Sequence, residues 1–118
     1  MRVLVIGAST NPSRMSNQAI HMLRSYGHEV FGVGRSDAMV GDVEINGGTP
    51  KMSMIDTITL YVNPSVLELY KDYIREINPR RVIFNPGTED ESFMSELAQM
   101  GILVQEACTL VSLRTKQF

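Results

Sequence analysis

The sequence VLVIGASTNPSR, residues 3–14, joins a continuous apolar run to a loop of small, hydroxylated and basic residues. The run from Val3 to Ile6 contains only β-branched residues and leucine, which is typical of a strand buried on both faces of a parallel sheet. Gly7 ends this strand, and apolar residues at helical spacing predict a helix that starts near Ser13 or Ser16. The stretch therefore predicts the first half of a βαβ unit.

Apolar and amphipathic segments alternate along the rest of the chain. Residues 36–55 show no strong helix and allow a short strand at Val43 to Ile45. Asn63-Pro64 predicts a helix start, because asparagine caps helices and proline suits the first helical position. Thr88 and Glu91 have the spacing of a capping box. The other expected strands are Glu29 to Val33, Thr57 to Val62, Arg81 to Phe84 and Ile102 to Gln105, and Cys108 to Leu113 is expected to be a short helix or an extended edge segment.

Five strands linked by helices predict an α/β fold, a Rossmann-like doubly wound and mostly parallel sheet with helices on both faces. The expected strand order is 3-2-1-4-5, with the first strand at the centre, and residues 1–118 are expected to form a single domain. Ligands of such sheets bind outside the carboxyl ends of the strands, where the winding reverses. Those ends carry Gly7 to Arg14, Gly34-Arg35, Asn63-Pro64, Asn85 to Thr88 and Glu106 to Cys108.

The composition limits the kinds of partner and compartment. The formal net charge of −2 argues against a broad basic face, so we expect no nucleic-acid partner. The single cysteine, Cys108, excludes an intramolecular disulfide and indicates a reducing compartment. No apolar run has the length of a signal-peptide core or a membrane span, so we expect a cytoplasmic protein without a membrane partner. A domain this small is also compatible with a homodimer.

The loop from Gly7 to Arg14 has the features of a phosphate site. A helix N-terminus offers free N–H groups and a partial positive charge to anions. Gly7 and Ala8 allow a phosphate to approach the backbone, and Arg14 adds a forked set of donors. Further hydroxyl donors are Ser9, Thr10 and Ser13. The alternative is a plain turn between a strand and a helix, in which a serine caps the N-terminus of the helix.

The usual dinucleotide and nucleotide motifs are missing. Ser9 and Pro12 occupy the second and third glycine positions of Gly-x-Gly-x-x-Gly, and no Walker A sequence occurs. The second strand ends in Val33-Gly34-Arg35, where an NAD site would carry an acidic residue. An arginine there favours a ribose phosphate, which NADP carries at the 2′ position and coenzyme A at the 3′ position. A solvated loop arginine is the alternative.

The pattern Gly-Ala-Ser-x-x-Pro-x-Arg after the first strand resembles the CoA-binding domain family, the small stand-alone relatives of the CoA-binding domain of succinyl-CoA synthetase. The resemblance covers nearly the whole chain and includes Val33, Leu60 to Ser65, Asn85 to Thr88 and Gly101 to Cys108. It implies a Rossmann-type domain that holds coenzyme A or an acyl-CoA in an extended pose.

The resemblance also implies how the cofactor would lie. Its phosphates would rest on Gly7 to Ser9 and Arg14, and its adenosine would lie near Val33 to Arg35. Its pantetheine arm would pass Asn63 and the loop from Asn85 to Thr88. The cofactor-binding residues implied in this way are Gly7, Ala8, Ser9, Thr10, Pro12, Arg14, Val33, Gly34, Arg35, Asn63, Pro64, Asn85, Pro86, Gly87 and Cys108.

Three positions depart from the family pattern. Many relatives read Val-Asn-Pro where this chain has Val33-Gly34-Arg35, carry an arginine where it has Val62, and have Arg-Cys where it has Ala107-Cys108. Arg35 can compensate for the missing positive groups, which is a hypothesis. If it does not, the chain is an interaction module with a vestigial nucleotide pocket.

No catalytic set of residues is visible, because no nucleophile is paired with a base and no histidine, cysteine or acidic cluster has metal-ligand spacing. The sequence therefore favours a non-catalytic carrier or sensor of coenzyme A, and an NADP-binding reductase or regulator is the alternative. Cys108 is interpreted as a small core residue, with a mixed disulfide to coenzyme A as the competing hypothesis.

Overall fold

The computed structural model describes residues 1–118 and contains a seven-stranded sheet and five α-helices. The strands are β1 (Arg2–Ala8), β2 (Glu29–Gly34), β3 (Ala38–Val40), β4 (Val43–Asn46), β5 (Thr57–Leu60), β6 (Arg81–Phe84) and β7 (Leu103–Glu106). The helices are α1 (Met15–Ser25), α2 (Pro64–Leu67), α3 (Lys71–Ile77), α4 (Glu91–Gln99) and α5 (Thr109–Arg114), and a 3-10 turn (Glu68–Tyr70) joins α2 to α3. None of these helices combines the length and the apolarity that crossing a membrane requires.

The strands lie in the order β3-β4-β2-β1-β5-β6-β7. All neighbouring pairs are parallel except β3 and β4, which form an antiparallel hairpin. Ile6 of β1 lies opposite Val33 of β2 on one side and Leu60 of β5 on the other. The chain winds outward from β1 in one direction and from β5 in the other, so the winding reverses between these two strands. The predicted α/β, Rossmann-like class is confirmed.

The predicted number and order of the strands are wrong. The expected third strand of five, which starts at Thr57, pairs with β1 and not with β2. The place beside β2 belongs to β4, and β3 pairs with the outer edge of β4. The sequence prediction allowed one short strand at Val43 to Ile45 and missed its partner. Because the hairpin occupies the free edge of β2, the next strand has to cross to the other side of β1.

Two layers of helices cover the two faces of the sheet. Leu4 and Ile6 of β1 are fully buried in a cluster with side chains from α2, α3 and α4. Val3 and Val5 are fully buried in a second cluster with side chains from α1 and α5. Alternate residues of a strand point to opposite faces, so an uninterrupted apolar run is what a strand between two layers requires. This packing fixes the position of β1, and with it the loop that follows β1.

Helix α1 begins without a side-chain cap. Its N-cap residue is Arg14, whose backbone is extended and whose side chain makes no capping hydrogen bond. The sequence suggests a serine cap, but neither Ser13 nor Ser16 caps the helix. The Ser13 hydroxyl instead donates a hydrogen bond to Asn11 Oδ1 over 2.8 Å. The N-terminus of α1 therefore keeps its electrostatic attraction for an anion from outside the chain.

Helix α2 begins as predicted. The Asn63 side chain accepts a hydrogen bond from the Val66 N–H over 2.9 Å, and Pro64 occupies the first turn. The apolar stripe from Val66 to Ile77 does not lie on one helix, however, because the 3-10 turn separates α2 from α3. The turn brings Tyr70 to the carboxyl edge of the sheet.

The predicted capping box of α4 is wrong. Asp90 caps the helix by accepting a hydrogen bond from the Phe93 N–H over 3.0 Å. Thr88 is turned inward, and its hydroxyl donates to the Asn85 carbonyl oxygen over 2.8 Å. After β7, the chain forms α5, which resolves the two alternatives for the terminal segment in favour of a helix.

Candidate functional site

A cleft of about 710 Å³ opens at the carboxyl edge of the sheet, where the winding reverses. Its volume lies in the range of roughly 300–1,000 Å³ that ligand pockets usually have. The segments that follow β2, β1 and β5 contribute most of its walls, and α1, α2, the 3-10 turn and the β3-β4 hairpin contribute the rest. The lining residues are Gly7, Ala8, Ser9, Thr10, Ser13, Arg14, Met15, Ser16, Gly34, Arg35, Ser36, Ala38, Ile45, Tyr61, Val62, Asn63, Val66 and Tyr70.

Two asparagines hold the loop between β1 and α1 in shape. Asn11 Oδ1 accepts hydrogen bonds from the N–H and the hydroxyl of Ser13, over 3.0 and 2.8 Å. The Asn11 carbonyl oxygen accepts from the Arg14 N–H over 3.0 Å. Asn17, which is buried in α1, donates from Nδ2 to the Ser9 carbonyl oxygen over 2.9 Å. The loop is thus preorganised by residues that the sequence prediction did not include, although asparagine before proline is a recognised turn signal.

Several donors of this loop remain unused. The Ser9 Oγ accepts a hydrogen bond from the Asn11 N–H over 3.1 Å, which leaves the Ser9 hydroxyl hydrogen free to donate. Because α1 has no side-chain cap, the N–H groups of its first turn, at Met15 to Asn17, have no acceptor within the chain. The Ser13 hydroxyl, in contrast, is already donated to Asn11. The available donors are therefore the hydroxyls of Ser9 and Thr10 and the amides of a helix N-terminus, and both kinds of group suit an anion.

The charge of the cleft is entirely positive. Arg14 and Arg35 are its only charged lining residues, and both are exposed. Neither guanidinium forms an ion pair, whereas four other arginines of the chain are paired with carboxylates. Those four are Arg2, Arg24, Arg75 and Arg80. Two unpaired arginines without a neighbouring acid in the wall favour a ligand with more than one negative charge.

Tyr61 forms part of the wall beside the loop that follows β1. Its hydroxyl is buried without a hydrogen-bond partner, and burial raises the pKa of Tyr61 to about 12. The neighbouring hydroxyls of Thr59 and Thr109 are bonded to each other over 2.8 Å. The Tyr61 hydroxyl therefore stays protonated at neutral pH, and this residue is not suited to act as a base there.

Eight of the residues implied by the resemblance meet in the cleft. They are Gly7, Ala8, Ser9, Thr10, Arg14, Gly34, Arg35 and Asn63. Val33 is fully buried in β2 behind them, and Pro64 is exposed at the start of α2. Pro12 lines a separate, open groove of about 750 Å³ between α1, β3 and α5.

The remaining four implied residues lie one or two strands further along the edge, after β6 and β7, and do not line the cleft. Asn85 is buried, and its Nδ2 donates to Thr59 Oγ1 over 2.6 Å and to the Leu60 carbonyl oxygen over 2.8 Å. Asn85 Oδ1 accepts from the Thr109 N–H over 2.9 Å. The other three are Pro86 and Gly87, which are exposed, and Cys108, which is half-buried. A contact between these residues and a ligand stays a prediction, and for Asn85 the polar atoms already have partners inside the protein.

The structure also brings to the cleft residues that the sequence prediction missed. Three of them come from the hairpin region, for which the sequence pattern predicted little structure: Ser36, Ala38 and Ile45. Val66 and Tyr70 come from α2 and the 3-10 turn. For Val66, the helical spacing indicated only an apolar face, and nothing in the pattern separates a side chain in the core from a side chain at the rim of a cleft.

Comparisons with known proteins show the family and agree with the fold. The sequence matches the model of the CoA binding domain family over residues 1–114. A crystal structure of an uncharacterized protein is similar, with 38% sequence identity and a TM-score of 0.96, covering 99% of this chain and 97% of that chain. A structure from Thermus thermophilus has 21% identity and a TM-score of 0.87, covering 99% of this chain and 90% of the other. No curated protein matches the sequence.

A larger protein contains the same fold. The dinucleotide forming acetyl-coenzyme A synthetase 1 of Ca. Korarchaeum cryptofilum, solved with phosphate and ADP, is 18% identical with a TM-score of 0.71. The match covers 87% of this chain and 25% of that chain. At this level of identity the similarity establishes the fold alone.

Proposed function

Because this chain belongs to the CoA-binding domain family, as its resemblance indicated, we propose that it binds coenzyme A or an acyl-CoA in the cleft and acts as a non-catalytic carrier or sensor. The observation that carries the proposal is the pairing of the uncapped N-terminus of α1 with two unpaired arginines in one cleft. Coenzyme A carries a pyrophosphate and a separate ribose phosphate, so its charge is divided between two places. Arg14 and Arg35 divide the positive charge of the cleft in the same way.

The pyrophosphate would bind at the loop between β1 and α1. Its oxygens would accept hydrogen bonds from the free N–H groups of Met15 to Asn17 and from the Ser9 hydroxyl, and Arg14 would supply the opposite charge. Hydrogen bonds to charged groups contribute about 1.5–3 kcal/mol each. This geometry supports the predicted phosphate loop, in which Gly7 and Ala8 form the floor.

The ribose phosphate would bind beside Arg35. This residue follows β2 together with Ser36, and both line the cleft. The apolar side chains of Ala38 and Ile45 lie on the same side and would contact the adenine. A guanidinium and a hydroxyl side by side provide the forked donor and the single donor that a phosphate monoester accepts.

The wall of the cleft supports binding without catalysis. Its lining contains no histidine, cysteine, lysine, aspartate or glutamate. General acid–base chemistry at neutral pH depends mostly on such groups, and burial raises the pKa of Tyr61 to about 12. A carrier or a sensor needs affinity for coenzyme A but no catalytic group.

Arg35 also suits the 2′-phosphate of NADP, so an NADP-binding reductase or regulator is the second candidate. Thermal unfolding with coenzyme A, NADPH and ATP in parallel separates the two. A ligand at 100 times its dissociation constant adds about 2.7 kcal/mol, which corresponds to a rise in Tm of roughly 10 °C for a domain of this size. We expect this rise with coenzyme A. A rise with NADPH alone supports the second candidate, and no rise with any nucleotide supports an interaction module.

A matched pair of variants tests the role of the two arginines. The double variant Arg14→Ala/Arg35→Ala should lose most of the stabilisation by coenzyme A, because it removes all the charge of the cleft. The control is Lys51→Ala/Arg114→Ala, which also removes two exposed positive charges that are unpaired with a carboxylate, but both residues lie outside the cleft. An equal loss of stabilisation by coenzyme A in the variant and in the control would indicate a general effect of net charge and would contradict the proposed site.

A further inference from the structure

We propose that the cleft recognises the nucleotide half of coenzyme A, and that adenosine 3′,5′-bisphosphate, which has no pantetheine arm, is therefore also a ligand of this chain. This inference rests on the proposed binding of coenzyme A. It adds that two phosphates on one ribose define the class of ligand. It also identifies the contact of Ser36 and Asp37 with Gly47 as the part of the chain that positions the second phosphate.

The end of β2 lies directly against the loop that follows β1. Gly34 is opposite Ala8 in the pairing of the two strands, and a Cβ atom added to Gly34 would stand 2.4 Å from the Ala8 carbonyl oxygen. This distance is too short for a Cβ atom, so the contact requires glycine. The backbone just before Arg35 is therefore fixed relative to the loop that would hold the 5′-phosphate.

The end of β4 holds the segment after Arg35 from the other side. Asp37 Oδ1 accepts a hydrogen bond from the Gly47 N–H over 2.8 Å. A Cβ atom added to Gly47 would stand 2.8 Å from the Cα atom of Ser36 and 3.1 Å from its carbonyl carbon, so the two backbones touch. Arg35 and Ser36, which line the cleft, thus lie between two close backbone contacts.

This arrangement suits two phosphates on one ribose. The segments that carry Arg14 and Arg35 follow β1 and β2, which are neighbouring strands about 4.8 Å apart. A single ribose separates a 5′-phosphate from a 3′-phosphate, so one nucleotide can reach both segments at once. A charged hydrogen bond strengthens binding roughly 10- to 100-fold. Because the backbone at Arg35 is already held in place, less of this gain is lost to ordering the loop.

The β5 side of the cleft offers less to the pantetheine arm. Its lining residues, between Tyr61 and Tyr70, carry no charge. Asn63 Oδ1 is occupied by the Val66 N–H and the Ser65 hydroxyl, which leaves Asn63 Nδ2 and the Tyr70 hydroxyl as free donors. Both are neutral groups, and a neutral hydrogen bond strengthens binding by up to about tenfold.

The loop after β6, which the arm would pass next, already uses its donors. The Gly87 N–H donates to Glu89 Oε1 over 2.8 Å, and the Thr88 hydroxyl donates to the Asn85 carbonyl oxygen over 2.8 Å. Asn85 Nδ2 donates to two buried oxygens within the chain. A hydrogen bond from this loop to the arm would replace one inside the protein and gain little. The nucleotide half therefore keeps the charged contacts when the arm is absent.

Titration calorimetry of the parent protein with a series of fragments tests the inference. We expect adenosine 3′,5′-bisphosphate to bind within about thirtyfold of coenzyme A, since it lacks one phosphate and the neutral contacts of the arm. It should bind at least about tenfold more tightly than AMP, which has no 3′-phosphate. It should also bind more tightly than adenosine 2′,5′-bisphosphate, and pantetheine should give no saturable heat.

Two adjacent glycines provide matched variants, because neither has a positive φ and only one touches the segment after β2. In Gly47→Ala, the added Cβ has to displace the Ser36 backbone. The advantage of the 3′,5′-bisphosphate over AMP should then fall below about threefold, while AMP binds as it does to the parent. In Gly48→Ala, the added Cβ makes an ordinary contact 3.4 Å from Asn46 Oδ1, so the full advantage should remain. Thermal unfolding without ligand shows that both variants are folded.

The outcomes separate this inference from the proposal beneath it. If coenzyme A binds and the 3′,5′-bisphosphate binds more than about hundredfold more weakly, the arm carries recognition, and the inference fails while the proposed function stands. Tighter binding of the 2′,5′ isomer, or an unchanged advantage over AMP in Gly47→Ala, would also overturn the inference. If neither coenzyme A nor any fragment binds to the folded protein, both the inference and the proposed function fail.

Discussion

Gly7 lies directly against the backbone of Tyr61. A Cβ atom added to Gly7 would stand 2.8 Å from both the carbonyl carbon and the carbonyl oxygen of Tyr61. The Tyr61 N–H in turn donates to the Ile6 carbonyl oxygen over 2.8 Å. The end of β1 and the segment after β5 therefore meet because Gly7 has no side chain to separate them. This contact joins the phosphate loop to the side of the cleft assigned to the arm.

Gly7→Ala should destabilise the protein by about 2–4 kcal/mol. The residue has a φ of 91°, which costs about 1–2 kcal/mol for a residue with a Cβ, and the clash with Tyr61 adds to this. Gly87→Ala is the matched control, because Gly87 has a φ of 92° and nothing within 4 Å of its added Cβ. Chemical denaturation measures both variants. Equal losses would mean that the approach of Gly7 to Tyr61 is not tight in solution.

The sequence predicts the elements around this contact better than their arrangement. The apolar run from Val3 to Ile6 identifies β1 because both faces of that strand are covered. The hairpin of β3 and β4 was largely missed because its strands have only three and four residues, too few to set a period. Without the hairpin, nothing in the sequence sends the strand at Thr57 to β1, which is why the expected order was wrong.

Polar side chains explain the other differences. Ser13 looks like a helix cap, but its hydroxyl is taken by Asn11 within the loop. Thr88 fits a capping box, but its hydroxyl turns inward to Asn85, and Asp90 caps α4. In both places several residues compete for the same partners, and their relative positions decide the outcome. A cleft lies at the edge of the sheet where the sequence predicts the ligand, but Tyr70 reaches this cleft through a 3-10 turn that the sequence does not mark.

Asn85→Ala should lower stability by about 2–3 kcal/mol and leave ligand affinity unchanged. The substitution leaves the Thr109 N–H and the Leu60 carbonyl oxygen without their buried partner. Asn63→Ala is the matched comparison. Loss of this exposed helix cap should lower stability by only about 1 kcal/mol, but Asn63 lies in the cleft, so the substitution should weaken ligand binding. Denaturation and calorimetric titration separate the two effects. A tenfold loss of affinity in Asn85→Ala would place this residue in contact with the ligand.

Tyr61→Phe should leave stability unchanged or raise it by up to about 1 kcal/mol. The variant removes a buried hydroxyl that has no hydrogen-bond partner, so no interaction is lost. The ring, which packs against the core cluster beneath α1 and α5, is kept. Thermal unfolding at neutral pH is the measurement. A loss of more than about 1 kcal/mol would show that the hydroxyl is bonded in solution, to Thr59 or Thr109.

Asp56 should make stability fall at low pH. Its hydrogen bonds with Arg80 are the main reason that the pKa of this carboxyl is lowered to about 2 in the folded protein. A lowered pKa stabilises the folded state above the unfolded value near 3.8, and this contribution is lost as the pH falls toward 2. Because Arg80 is 55% exposed, solvent screens its ion pair with Asp56, and the pair contributes about 1 kcal/mol to the free energy of unfolding.

Unfolding of Asp56→Asn at pH 6 and at pH 2.5 tests this sign. The variant should be less stable than the parent at pH 6, and the difference should shrink at pH 2.5. For Arg80→Ala, the difference in stability from the parent should also be smaller at pH 2.5 than at pH 6, because this variant removes the other partner of the ion pair. A difference that stays constant between the two pH values would contradict the coupling.

Calorimetric titration with coenzyme A and with dephospho-CoA, on the parent protein and on Arg35→Ala, tests the central claim most directly. The account predicts saturable binding of coenzyme A that is at least about tenfold tighter than binding of dephospho-CoA, as expected for a charge-assisted phosphate contact. It also predicts that Arg35→Ala abolishes this difference, whereas Arg114→Ala retains it. A folded protein that gives no heat and no stabilisation with coenzyme A would contradict the account.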